Sequence, residues 1–226
     1  MRSMILDHIV LRSPNSAALL ADLQNRFGLK TLEGFKDYSG IQSKGVRFCN
    51  RTFLDVYNWP NDKPPFNPLL ALEGSLAEAE AIAEKQGWQT RLLRRLAIPV
   101  EQRPPWSTLS FRRGQGAISS VFVIEYEEAP AAWQVVHYRG DLYNRNKNSP
   151  VDVELLNVVI GCEDESIGAS QIDTLTGGHA SKIKLRSVDG PNQIRIRDVY
   201  GSVVDWSPTA FDRRRSMMSP VLGCLR

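Results

Sequence analysis

Cysteine is scarce in this chain: Cys49, Cys162 and Cys224 are odd in number, widely spaced and form no CxxC pair. That excludes a disulfide framework and the usual zinc-finger spacings, and it points to a reducing, cytoplasmic setting. Charge of one sign is lacking too, since 28 Lys and Arg against 25 Asp and Glu leave a net +3. The basic clusters RLLRRL (91–96) and DRRRS (212–216) are short enough to be solvated faces, so no nucleic-acid partner is expected. No apolar run approaches the roughly 20 residues of a membrane span. Acid and histidine at Asp7 and His8 argue against a signal peptide near Met1. The Walker loop, the GxGxxG fingerprint and the GxSxG elbow are all absent, and RRGQG (112–116) reads as a hairpin turn.

What is present is a recurring order of elements. MILDHIVL (4–11) alternates as a strand, SPNS (13–16) can cap a helix, and SAALLADLQNRFG (16–28) sets Leu19, Leu20, Leu23 and Phe27 at helical spacing before Gly28. KGVRFCNRTFLDVYNW (44–59) reads as two strands about the turn CNRT, and PNDKPP (60–65) as a linker. PLLALEG (68–74) is a second opening strand, and SLAEAEAIAEKQG (75–87) is a helix with Ser75 as N-cap and Gly87 as stop. WQTRLLRRL, WSTLSFRR and ISSVFVIEY follow as strands. A third pass begins with DVELLNVVIG (152–161), a poorer helix EDESIGASQIDTLTGG (163–178), and the strands SKIKLRS, NQIRIRDV and SVVDW. The units are roughly 55–60 residues long, within the range of modular repeats. The fold class expected is α+β: repeated βαβββ units with curved mixed sheets and helices outside.

Strand alternation then sorts polar residues by face. His8 sits with Leu6 and Val10, opposite Ile9 and Leu11. Phe53, Asp55 and Tyr57 oppose Leu54 and Val56, while Glu125 falls with Val121 and Val123. A lone histidine on an apolar face is commonly a packed core residue. Two acids on equivalent faces favour a polar site, because a buried carboxylate without a partner is costly. His8, Asp55 and Glu125 are therefore expected to converge in one cleft.

LDHIVL, the helix after it, RFCNRTFLDVYNW, LLALEGSLAEAEAIAEKQGW, PPWSTLSFRR and SSVFVIEY together resemble a glyoxalase-like domain of the vicinal oxygen chelate superfamily. The resemblance covers roughly residues 4–128. It implies domains at 1–128 (two paired βαβββ units), a linker at 129–151, and a third, degenerate unit with the tail at 152–226. It also implies metal ligands from the first and last strands of both units: His8, Asp55 and Glu125. The fourth position, usually histidine, falls near Pro68, where only Asn67 could substitute. In the third unit Asn157 and Asp205 take the places of His8 and Asp55 at nearly the same spacing.

Two functions follow from the resemblance. One is a divalent-metal-assisted lyase, isomerase or dioxygenase acting on a small oxygen-rich molecule. His8, Asp55 and Glu125 would hold Zn, Ni, Mn or Fe, with His8 and Glu125 as proton-transfer groups. The other is a metal-free protein that binds or sequesters a small molecule in the same cleft, with Tyr57, Trp59 and Trp106 as stacking surfaces and Asn157 and Asp205 as polar contacts. The unpaired third unit suggests a homodimer. Cys49, between Arg47 and Arg51, is also a candidate for a reactive thiolate.

Overall fold

The structure is a computed structural model, and it describes residues 4–33, 43–50, 52–58, 68–97, 106–126, 152–187 and 193–207. Trp59, His137, the 129–151 segment and the 212–216 cluster lie outside the described residues.

Residues 5–126 build one eight-stranded sheet. Its strands are β1 (Ile5–Ser13), β2 (Leu32–Glu33), β3 (Ser43–Arg47), β4 (Phe53–Asn58), β5 (Leu69–Glu73), β6 (Thr90–Leu93), β7 (Trp106–Phe111) and β8 (Val121–Tyr126), in the order β2-β3-β4-β1-β5-β8-β7-β6. Each half opens with a strand and a helix and closes with a strand parallel to its opener: β4 beside β1, and β8 beside β5. The halves join through β1 and β5, which run antiparallel. This is the paired βαβββ arrangement. The very short β2 completes the first unit.

The helices form where apolar spacing and end signals agree. In α1 (Ser16–Phe27) the buried residues are Leu19, Leu20, Leu23 and Phe27, and Gly28 ends it at φ 68°, donating its N–H to Gln24. In α2 (Leu76–Gln86) the Ser75 hydroxyl accepts from the Glu78 N–H, and Gly87 closes the helix at φ 68°.

The third segment departs from expectation. β9 (Glu154–Cys162), α3 (Glu165–Thr176), β10 (Ile183–Ser187), β11 (Gln193–Arg197) and β12 (Val203–Trp206) follow in the βαβββ order, but the sheet runs β10-β9-β11-β12. The opening strand is parallel to the next strand instead of the last, and antiparallel to β11. Equal element order has thus produced a different connectivity, because β10 crosses directly back beside β9.

This segment packs onto the first two units. Its apolar face, with Val158, Ile160, Ile183, Ile194, Ile196 and Trp206, merges into one core with the first two units. The buried Trp206 indole donates to Asp22 on α1 at 2.9 Å. Asn50 donates to the Leu155 carbonyl at 2.7 Å, and the Cys49 N–H to the Val153 carbonyl at 2.9 Å. Gly168 of α3 packs so closely that an added Cβ would stand 2.8 Å from Leu185, 3.0 Å from Ala117 and 3.3 Å from Cys162. The helices lie between the two sheets, which leaves the opposite face of the large sheet for a site.

Candidate functional site

On that face, register lines residues up across strands. His8 pairs with Phe53 on one side and Ala71 on the other, and Ala71 pairs with Phe122. The His8 ring stacks on Phe53 at 4.4 Å between centroids and 15°, and meets Phe122 edge-on at 5.7 Å and 72°. Ala71 is what permits the second contact, since its single methyl lets the imidazole and Phe122 rings meet across it.

The regular alternation of β1 breaks beside His8. Leu6 pairs with Leu72 and His8 with Ala71, so one residue, Asp7, is accommodated in a bulge. Leu6 thereby turns to the helix side, where it packs on the core, instead of sharing a face with His8 as strict alternation predicts. Asp7 comes beside His8: its Oδ2 lies 2.7 Å from His8 Nδ1. The same oxygen accepts from the Tyr126 hydroxyl at 2.9 Å. Asp7 and His8 are both buried, at 5% and 6% exposure. An ionised Asp7 can only accept, so it holds the hydrogen on Nδ1 and leaves the Nε2 lone pair available. No described residue hydrogen-bonds Nε2.

Asp55 lies on the same face two residues further along, opposite Val10. It is buried, and its carboxylate is bonded by Tyr57. Burial, then the neighbouring Asp55 charge and hydrogen bond, push the Tyr57 hydroxyl well above the ordinary tyrosine range, while a hydrogen bond with Ser43 works the other way. Tyr57 therefore stays a neutral donor. Arg12, opposite Tyr57, is half-buried, and its guanidinium is shifted down by burial; Tyr57 opposes the shift and Arg113 adds to it.

Glu125 is not brought to His8 and Asp55. Phe122 and Tyr126, on the same strand, touch His8 and Asp7, so alternation sends Glu125 to the other face with the core residues Val121 and Val123, where it is exposed at the strand end. Trp106 does reach the site face, edge-on to Tyr126 at 6.1 Å. Asn157 and Asp205 are on the other sheet, separated by β11: Arg195 pairs with both, and it binds Asp205 in a two-point ion pair at 2.7 and 3.0 Å.

The donor set does not fit the expected divalent metal. Among the described residues no three His, Cys, Asp or Glu side chains come together. The second-unit residues paired nearest to His8 and Val10 are Ala71, Leu69 and Phe122, which offer no ligand atoms; Tyr57 bonds one oxygen of Asp55, and its Oδ1 is buried without a hydrogen-bond partner. Asp7, Tyr126 and the aromatic walls were not foreseen. The adjacent Asp7 and His8 were visible in the sequence, but nothing there announces a bulge.

The paired βαβββ sheet has the architecture of the vicinal oxygen chelate fold. A hypothetical protein from Staphylococcus aureus superposes with a TM-score of 0.53 at 11% identity, covering 89% of this chain and 98% of its own. Methylmalonyl-CoA epimerase from Mycobacterium tuberculosis matches with a TM-score of 0.42 and 13% identity over 59% of this chain and 95% of its own. A glyoxalase I mutant from Zea mays matches with a TM-score of 0.43 and 13% identity over 94% and 72%. At 11% identity the first of these speaks to fold and not to chemistry. No protein-family model matches the chain, and neither does any curated protein. Among the described residues no helix is long and apolar enough to cross a membrane.

Proposed function

We propose that this chain is a metal-independent, glyoxalase-fold isomerase or lyase that takes a small oxygen-bearing molecule on the sheet face and moves a proton with His8. The observation that carries this reading is the Asp7–His8 pair: a buried carboxylate fixed to Nδ1, with Nε2 unbonded. Such an imidazole can accept a proton from an acidic C–H or O–H. Asp7 then stabilises the imidazolium, and Tyr126 steadies Asp7. Phe53 and Phe122 limit water around the ring, and a dry site strengthens each of these interactions.

Those same aromatic walls support a second reading, a binding or sequestering protein in which His8 serves only as a hydrogen-bonding group. One experiment separates the two. The purified protein is incubated in D2O with a panel of 2-oxo acids, 2-hydroxy ketones and thioesters, and loss of the C–H signal beside the carbonyl is followed by proton NMR. Exchange by the parent, lost in His8→Gln, supports catalysis. Binding without exchange by any panel member overturns the catalytic reading in favour of sequestration.

A further inference from the structure

The small sheet sorts its charges by face. Ile183, Ile194 and Ile196 are buried on the core side, so alternation turns all the Lys and Arg of β10 and β11 (Lys184, Arg186, Arg195 and Arg197) to the outer face. The acids Glu163, Asp164, Glu165 and Asp173 fall on α3 or just before it, on the other side of the sheet. On the outer face the strands carry only Glu154 and Asp205 as acids. Each is already in an ion pair, Glu154 with Arg197 at 2.6 Å and Asp205 with Arg195 at 2.7 Å. The face is left with cationic charge in excess, from Lys184 and Arg186 on β10.

The register gives this face its relief. Lys184 pairs with Val159 and Arg186 with Gly161 on one side of β9. Gln193 pairs with Val159 and Arg195 with Asn157 on the other. The central strand thus shows the short series Asn157, Val159 and Gly161, and long side chains rise on both flanks. The result is a trough one strand wide along β9. Its floor holds an unmet acceptor: Asn157 Oδ1 is buried and has no hydrogen-bond partner. The Arg195 hydrogen bond first, and the Arg186 charge after it, hold the Asp205 carboxyl below the ordinary aspartate range. Arg186 and Asp205 stand on opposite edge strands, so the Arg186 side chain leans across the trough.

We propose that this face docks an acidic protein segment in extended conformation, laid along β9. Lys184 and Arg186, two positions apart on one strand, are roughly 6.7 Å apart along it. Alternate side chains of an extended peptide have the same spacing, so Glu or Asp at every second position meets the two cations in turn. The peptide's backbone N–H groups supply the donor that Asn157 Oδ1 lacks. A single-stranded nucleic acid is the poorer match. Among the described residues the outward positions of these strands carry no aromatic ring on which a base could stack, and a phosphodiester offers Asn157 no donor. This inference stands apart from the reading of His8.

The test is fluorescence anisotropy on the full chain at low salt with three labelled probes of equal charge: an alternating glutamate–alanine peptide, a peptide with the same residues in two blocks, and an oligothymidylate. The alternating peptide is expected to bind tightest. Lys184→Glu and Arg186→Gln should each weaken it by roughly five-fold or more, and His8→Gln should leave it unchanged. Lys184 is exposed, so its variant should melt near the parent's temperature and guards against misfolding of the other. No binding of the alternating peptide, binding that survives both substitutions, equal binding of the block peptide, or tighter binding of the oligothymidylate would each overturn the proposal.

Discussion

Asp7 Oδ2 lies 2.7 Å from His8 Nδ1, although the two residues are consecutive in a strand whose neighbours normally point to opposite faces. The bulge that joins them converts a packed histidine into an oriented one. Asp7→Asn keeps the shape and removes the charge, so the imidazolium loses its counter-ion and the tautomer its anchor. If His8 is the proton acceptor, exchange rates fall by roughly 10²–10⁴, with a smaller loss in Tyr126→Phe. Circular dichroism should stay close to the parent's, which separates a lost chemical role from a lost fold.

Cys49 should alkylate slowly at neutral pH despite its exposed position. Partial burial raises its thiol pKa first, and the charges of Glu154 and Asp152 raise it further. The flanking arginines seen in the sequence do not make it a ready thiolate. Iodoacetamide labelling followed by mass spectrometry should therefore be slow near pH 7 and rise steeply in alkali, and Glu154→Gln should shift that rise to lower pH.

Gly168 tests how the third segment is docked. A valine there meets Leu185, Ala117 and Cys162 together, and overpacking of this kind costs roughly 1–3 kcal/mol. In Gly168→Ala the smaller clash is offset by a gain in helix propensity of about 1 kcal/mol. Chemical denaturation should rank the parent and alanine variant close together and the valine variant well below them, with all three unfolding as one unit because the core is shared.

Acid should expose the two lowered aspartates. The Asp164 carboxyl caps α3, and hydrogen bonds from the Ile167 N–H and from Ser166 hold its pKa down. Asp205 is held down mainly by its hydrogen bond from Arg195. Each group's folded pKa lies below its unfolded one, so its contribution is present above the ordinary aspartate range, about 3.9. It is lost as pH falls through the folded value. Melting curves from mildly to strongly acidic pH should show Asp164→Asn and Asp205→Asn less acid-sensitive than the parent, having lost part of that contribution already at neutral pH.

The large sheet was legible because its signals are local. Periodic leucines, Ser75 with Glu78, and Gly28 and Gly87 mark both helices, and alternation marks the faces of β4 and β8. Glu125 was sorted correctly onto the face of Val121 and Val123; the error was to place that face in the cleft with His8. Two things were not local. The bulge at Asp7 depends on how β1 meets β5, and the β10-β9-β11-β12 order depends on which edge of β9 the chain returns to. Neither leaves a mark in residue type, so Asp7 and Tyr126 stayed hidden, and Asn157 and Asp205 were given a likeness to His8 and Asp55 that the connectivity does not support.

The most direct test is a long-range proton–nitrogen NMR spectrum of the His8 ring, assigned with His8→Gln and recorded before and after one equivalent of Zn, Ni, Mn or Fe in its divalent form. The account predicts hydrogen on Nδ1, a bare Nε2, and no change on adding any of the metals. Hydrogen on Nε2, or stoichiometric metal binding that perturbs His8 and is abolished by Asp55→Asn, would contradict it.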